Sequence, residues 1–176
     1  IVVPAGFKIT NDASTVDKGI VIEDATSAAT AGSQFVWIPV GKIYIDTTKT
    51  DVNAKTIELN RYTFDESGNP TAQGENVIET YYQELETSNN GNTVAKSIPN
   101  FKESVETNGG YYIGRYEART TIPRIAAENL LTQITEKGKD QVYNYVTQSQ
   151  AASQSQNMYN SSKFTSDLMN SYAWDT

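Results

Sequence analysis

From Asn108 to Arg119 the chain reads Asn-Gly-Gly-Tyr-Tyr-Ile-Gly-Arg-Tyr-Glu-Ala-Arg, and no other stretch limits the fold as tightly. Gly109 and Gly110 supply the permissive backbone of a turn. Beyond them Tyr112, Gly114, Tyr116 and Ala118 share one face of an extended chain, and Tyr111, Ile113, Arg115 and Glu117 share the other. A strand that packs through aromatic rings is therefore predicted. Arg115 and Glu117, two apart on one face, either pair at the strand's end or meet a ligand.

The remaining extended stretches are shorter. Ile1-Val2-Val3 is a β-branched run broken by Pro4-Ala5-Gly6, and Phe7-Lys8-Ile9-Thr10 resumes it, so two short strands are expected. The stretch Gly19 to Asp24 has an apolar centre closed by two acids. Gln34 to Val40 is apolar on both faces, as a central strand must be, and Pro39, which lacks a donor, belongs at its end or at a bulge. Lys42 to Asp46 is expected to continue the same path past Gly41. Alternation from Thr56 to Phe64 predicts one further strand. Asp65-Glu66-Ser67-Gly68-Asn69-Pro70 then turns the chain, and its acids lack the regular spacing and distal Glu of a calcium loop. Residues 71–108 are rich in Asn, Thr and Glu with little periodicity; they read as a long surface excursion with an edge strand over 77–82.

After Arg119 the period changes from two to nearly four. Thr121-Ile122-Pro123 offers a helix start, Ala127, Leu130, Leu131 and Ile134 follow at helical spacing, and Gly138 is the stop. Thr147 to Gln150 fits a capping box, with Ala151, Ser155, Met158 and Tyr159 along one stripe. A third helix is expected from Ser166, with Asp167 in its first turn and Leu168, Met169, Tyr172 and Ala173 facing inward. It is about three turns long by Thr176 and must dock to be stable, while Trp174 points off its apolar stripe. The expected core joins Phe35 or Trp37 to Ile113, Leu131 and Met158.

Composition narrows the chemistry. With 176 residues and 38% hydrophobic content one core is the default, so a single domain is expected, strand-rich over 1–120 and helical over 121–176. A net charge of −7 disfavours nucleic acid and anionic membrane as partners. The absence of Cys and His removes thiol nucleophiles, thiolate metal sites, the commonest general base and the commonest zinc ligand. No Gly-x-x-x-x-Gly-Lys run exists for phosphate, and Asn160-Ser161-Ser162 is the sole acceptor-type tripeptide for N-linked sugar. No residue is assigned a catalytic, cofactor-binding or metal-binding role, and no cofactor is expected. Ile1 is not an initiator, so the sequence is expected to be a piece of a longer chain.

The order Gln34 to Gly41, Gly109 to Glu117 and Val146 to Ala151 resembles the formylglycine-generating-enzyme/sulfatase-modifying family, and Ser171-Tyr172-Ala173-Trp174-Asp175 is similar to its Trp-bearing helix. Val3 to Phe7, Gly19 to Asp24, Asn157 to Tyr159 and Asn170 to Thr176 look more specifically like prepilin-like surface proteins of Gram-positive gut bacteria. The resemblance implies an α+β fold of C-type-lectin-like kind, a mixed and mainly antiparallel sheet with two or three short helices, of which this chain covers the N-terminal half. The enzymes of that family use a pair of cysteines in the second half of the fold. This chain has none, so no catalytic role carries over.

Three functional readings follow. The acidic, thiol-free composition and the surface-protein resemblance point to a non-enzymatic extracellular or cell-surface protein, a pilin-like or adhesin subunit whose partners are other copies of itself or a neighbouring subunit. A lectin-like module binding a glycan or host surface ligand is the alternative, with eleven tyrosines available for stacking. A carboxylate-only glycosidase needs facing Asp or Glu pairs that the sequence does not single out.

Overall fold

A computed structural model describes residues 1–10, 19–44, 48–49, 52, 54–73, 98–118 and 147–176. In chain order the elements are β1 (Phe7–Ile9), β2 (Val21–Asp24), β3 (Gln34–Pro39), β4 (Gly41–Tyr44), β5 (Ala54–Ile57), β6 (Tyr62–Phe64), β7 (Pro70–Ala72), α1 (Ile98–Asn108), β8 (Gly110–Gly114), α2 (Gln148–Met158) and α3 (Ser171–Asp175). The protein is α+β with mostly antiparallel strands and few helices. The chain divides into two compact units, one of Val2–Ile38 and Tyr112–Ser166, the other of Ile1, Pro39–Tyr111 and Asp167–Thr176.

The first of these is built on a sheet of order β1-β2-β3-β8. Val21 and Ile22, adjacent on β2 and so on opposite faces of the sheet, are both buried, as both-faced cover of a central strand requires; Ile22 stands opposite Ile9 on one neighbouring strand and Phe35 on the other. Trp37 on β3 meets Tyr112 on β8 edge-on, with ring centroids 4.9 Å apart. A second aromatic cluster joins Phe7, Phe35, Tyr159 and Phe164, at centroid separations from 5.4 to 6.0 Å. Helix α2 opens as the sequence predicts: the Thr147 hydroxyl accepts the Gln150 N–H, and the Gln150 side chain accepts the Thr147 N–H. Ala152 is its fully buried residue.

Among its described residues the second unit has two hairpins and two helices. β4 pairs antiparallel with β5, Gly41 opposite Ile57, and β6 pairs antiparallel with β7, Tyr62 opposite Ala72. Helix α1 buries Ile98 and Val105, with Phe101 edge-on to Tyr111 at 5.2 Å. It ends where Gly109 takes φ of +70°, which lets its N–H return to the Val105 carbonyl.

Several expectations change. The stretch Ile98 to Asn108 is a helix, not part of a surface excursion, because its apolar residues sit at i, i+3 and i+7 and Gly109 terminates it. Residues 77–82 and the whole helix expected over 121–138, Leu131 included, lie outside the described residues. Lys42 does not prolong β3: Gly41, at φ +96°, starts a strand belonging to another sheet. The stretch Thr56 to Phe64 is two strands in two sheets, interrupted at residues 58–61. Of residues 1–10 only Phe7–Ile9 is a strand. The last helix starts at Ser171 with Asn170 as its cap, since Ser166 is drawn instead to the Tyr159 backbone, and Met169 is 43% exposed rather than buried. Arg115 donates to the Gln34 side chain at 2.8 Å and lies over the Tyr116 ring, while Glu117 is exposed.

Ile113 is half-buried, whereas Ile22 is 2% exposed. Ile22→Ala should therefore cost ~2–5 kcal/mol, and Ile113→Ala distinctly less. Urea unfolding midpoints of the two variants check the order, and equal losses would contradict it.

Candidate functional site

A five-residue helix has too few internal hydrogen bonds to persist alone, so the placement of α3 is decided by its neighbours. Asn170 accepts the Ala173 N–H at 2.9 Å, and both the N–H and the hydroxyl of Thr176 donate back to the Tyr172 carbonyl. The Tyr111 hydroxyl donates to the Ala173 carbonyl at 3.1 Å. Asp175 takes the Arg61 guanidinium and, at 3.1 Å, the Tyr62 N–H at the base of the β6–β7 hairpin. Burial raises the pKa of Asp175, but the bonds from Arg61 and Tyr62 outweigh it and hold the carboxyl below its usual range. The outcome is a helix fixed at both ends that presents Trp174 with 75% of its surface in water.

That exposure is unusual for the residue. Tryptophan is highly buried on average, and a mobile chain would let so large an apolar ring fold back. Here the backbone on either side of it is pinned.

Beside Tyr172 lies a concave site of about 290 Å³. Its floor is the buried Val105 and Tyr172, Val40 and Leu59 are apolar walls, and Glu58, Asn60, Lys102 and Glu106 supply the polar lining. Lys102 Nζ stands 5.5 Å from the centre of the Tyr172 ring. Lys102 and Glu106 are one turn apart on α1, so the helix itself sets their spacing.

The other concentrated polar feature is Asp24, a carboxylate in a residue only 3% exposed. One oxygen accepts from the Thr26 N–H at 2.9 Å and the Thr26 hydroxyl at 2.6 Å; the other accepts from Thr30 at 2.6 Å and the Tyr159 hydroxyl at 2.9 Å. Burial pushes its pKa up, yet these four bonds together lower it. Every lone-pair direction is engaged in holding the chain, which makes Asp24 a structural acid. Burial pushes the hydroxyls of Tyr111, Tyr112 and Tyr159 up to about 12.

The acids of 65–70 form a turn. Asp65 accepts from the N–H groups of Ser67 and Asn69 and from the Asn69 amide, which occupies both its oxygens and lowers its pKa. Among the described residues no group of three or more His, Cys, Asp or Glu is placed to hold a metal. The seven described tyrosines are all buried or half-buried, so the exposed aromatic surface among the described residues is that of Trp174 and Phe64 rather than a tyrosine. Sequence reasoning singled out Trp174 but missed its clamp, because Arg61 and Asp175 are 114 positions apart and nothing local links them. It missed Lys102 and Glu106 for a different reason, since the spacing of Ile98, Phe101 and Val105 before Gly109 was available to show their helix. No protein-family model, curated protein or solved structure matches the chain.

The two tryptophans should be separable by fluorescence, Trp37 being buried and Trp174 exposed. Trp174→Phe should remove most of the acrylamide-quenchable, red-shifted emission; a quenchable remainder from Trp37 would contradict the packing against Tyr112. The carboxylates give a second expectation. Asp24, Asp65 and Asp175 all have folded pKa values below 3.8, so their stabilisation is complete above about pH 4 and is lost as pH falls through those lower values. Acid unfolding should begin below pH 4, and Asp24→Asn should lower stability at neutral pH while making the acid limb shallower.

Proposed function

We propose that this chain is a non-enzymatic extracellular surface protein, a pilin-like or adhesin subunit on a C-type-lectin-like frame, and that Trp174 anchors its binding or assembly surface. The observation that carries this is the 75% exposure of Trp174 on a helix held rigidly by Asn170, Tyr111 and Asp175. Aromatic anchors dominate protein interfaces when they are pre-organised, because little ordering entropy is lost on docking. Asp175, next in sequence, is already neutralised by Arg61, so a partner covering Trp174 does not strand a bare carboxylate.

The ionisation pattern supports a non-catalytic role. General acids and bases work with pKa values brought toward the operating pH. The shifted aspartates move down and the shifted tyrosines move up, both away from neutrality. A lectin-like reading is kept as a second one by the polar-lined concavity at Tyr172.

Sedimentation over a concentration series tests the assembly reading. The chain should associate at high protein concentration, more strongly at higher salt because its net charge of −7 repels copies of itself. Trp174→Ala should weaken association at least about tenfold without lowering the unfolding midpoint. A monomer at every concentration and salt, with Trp174 still quenchable, would sink the reading.

A further inference from the structure

The cap that starts α3 also fixes the register of the residues around it. Asn170 is the cap, its side chain accepting the Ala173 N–H, so Met169 stands immediately before the cap and Trp174 is the fourth residue of the helix. Apolar residues at those two positions pack against each other across the first turn. Here both reach water, Met169 at 43% and Trp174 at 75% exposure. An exposed methionine is ordinary by itself. What sets Met169 apart is that the register brings its thioether to the one exposed indole among the described residues, and sulfur favours contact with aromatic rings. The chain has one other methionine, Met158, which is half-buried on α2.

We infer that Met169 is an oxidation site for peroxide, lying against Trp174, and that its sulfoxide weakens binding through that indole. One oxygen of hydrogen peroxide bonds to Sδ as the O–O bond breaks; sulfur is oxidised by two electrons, and the other oxygen leaves as water with both protons. No group on the protein has to supply a proton. The product is a polar, chiral side chain in place of a flexible apolar one. A partner closing over Trp174 then has to strip water from the new S=O group, which costs binding free energy. The helix is spared, because the bonds at Asn170, Tyr111 and Asp175 that hold it use no atom of the Met169 side chain. Oxidation thus changes the surface and leaves the support. The effect on binding rests on the reading of Trp174 as the binding or assembly surface; the oxidation site itself does not.

Hydrogen peroxide titration of the 176-residue chain is the test, followed by peptide mass and by the two indole N–H resonances in NMR. Met169 should oxidise ahead of Met158. The Trp174 resonance should move in step with it, while that of the buried Trp37 stays in place. In Met169→Leu, peroxide should leave the Trp174 resonance where it was. None of these readouts requires association. In sedimentation the oxidised chain should associate about two- to tenfold more weakly, with its unfolding midpoint unchanged. Oxidation of Met158 first, or at the same rate, overturns the site. A Trp174 resonance indifferent to Met169 oxidation overturns the pairing, and a lowered unfolding midpoint assigns Met169 to the support instead of the surface. Equal association before and after oxidation overturns control of binding, and Trp174→Ala then decides the assembly reading separately. A chain that never associates, yet whose Trp174 resonance follows Met169 oxidation, loses the assembly reading and the control of it while the oxidation site stands.

Discussion

Asp24 holds together the unit that contains the sheet. It is the last residue of β2, its N–H donates to the Ser33 carbonyl and its carbonyl accepts the Gly32 N–H, and its buried carboxylate takes four donors from three residues. An ionised group in so little water is tolerable only when the surroundings replace its hydration, and Thr26, Thr30 and Tyr159 do so. The consequence reaches far along the chain, since Thr26 and Thr30 belong to the turn leading into β3 while Tyr159 is the C-cap of α2. One side chain thus fixes the turn between two central strands and the end of a helix 135 positions away. The ring of Tyr159 then closes the aromatic cluster with Phe7, Phe35 and Phe164, so polar satisfaction and apolar packing converge on the same residue.

In the other unit Asp175 does comparable work at a smaller scale. Its carboxylate joins α3 to the start of β6, and the hairpin that follows is closed by the Asp65 turn. Both acids are spent on backbone N–H groups that would otherwise face solvent unpaired at loop ends. Helix α3 is stable only in that setting, and the bonds at Asn170, Tyr111 and Asp175 fix the backbone from which Trp174 projects: turning that stretch of helix inward would break them.

The sequence was most legible where a single local rule decides the structure. The capping box at Thr147, the end of β3 at Pro39, the central place of β3, the turn at 65–70 and the strand from Gly110, which stops at Gly114 and so short of Glu117, each depend on residues within a few positions. It was least legible where backbone direction changes without a change of composition. Gly41 sends the chain into a new sheet although the residues on either side alternate as one strand would, and residues 58–61 interrupt a run whose pattern is unbroken. Helix α1 was hidden by its polar residues, because three apolar positions in eleven give a weak stripe that Gly109 alone makes definite. The site followed the same logic. Trp174 stood out as an aromatic off its stripe, but what makes it a site is a clamp between residues 61 and 175, and pairings at that separation leave no trace in a pattern of three or four residues.

Buried and exposed groups are sorted in one consistent way. The acids that are withdrawn from water, Asp24 and Asp175, are hydrogen-bonded and held ionised, and the described tyrosines are buried or half-buried, with burial keeping Tyr111, Tyr112 and Tyr159 protonated. At the surface of the second unit, among its described residues, stand the pinned indole of Trp174 and the exposed side chains of Val52, Phe64 and Met169, beside a concavity lined by Val40 and Leu59 with charged side chains around it. Reaction chemistry draws on groups whose protonation is finely balanced, whereas recognition draws on surfaces that keep their charge and shape while a partner is absent. Rigid support and exposed aromatic area meet at α3, where Tyr172 lies beneath the concavity and Trp174 stands in water.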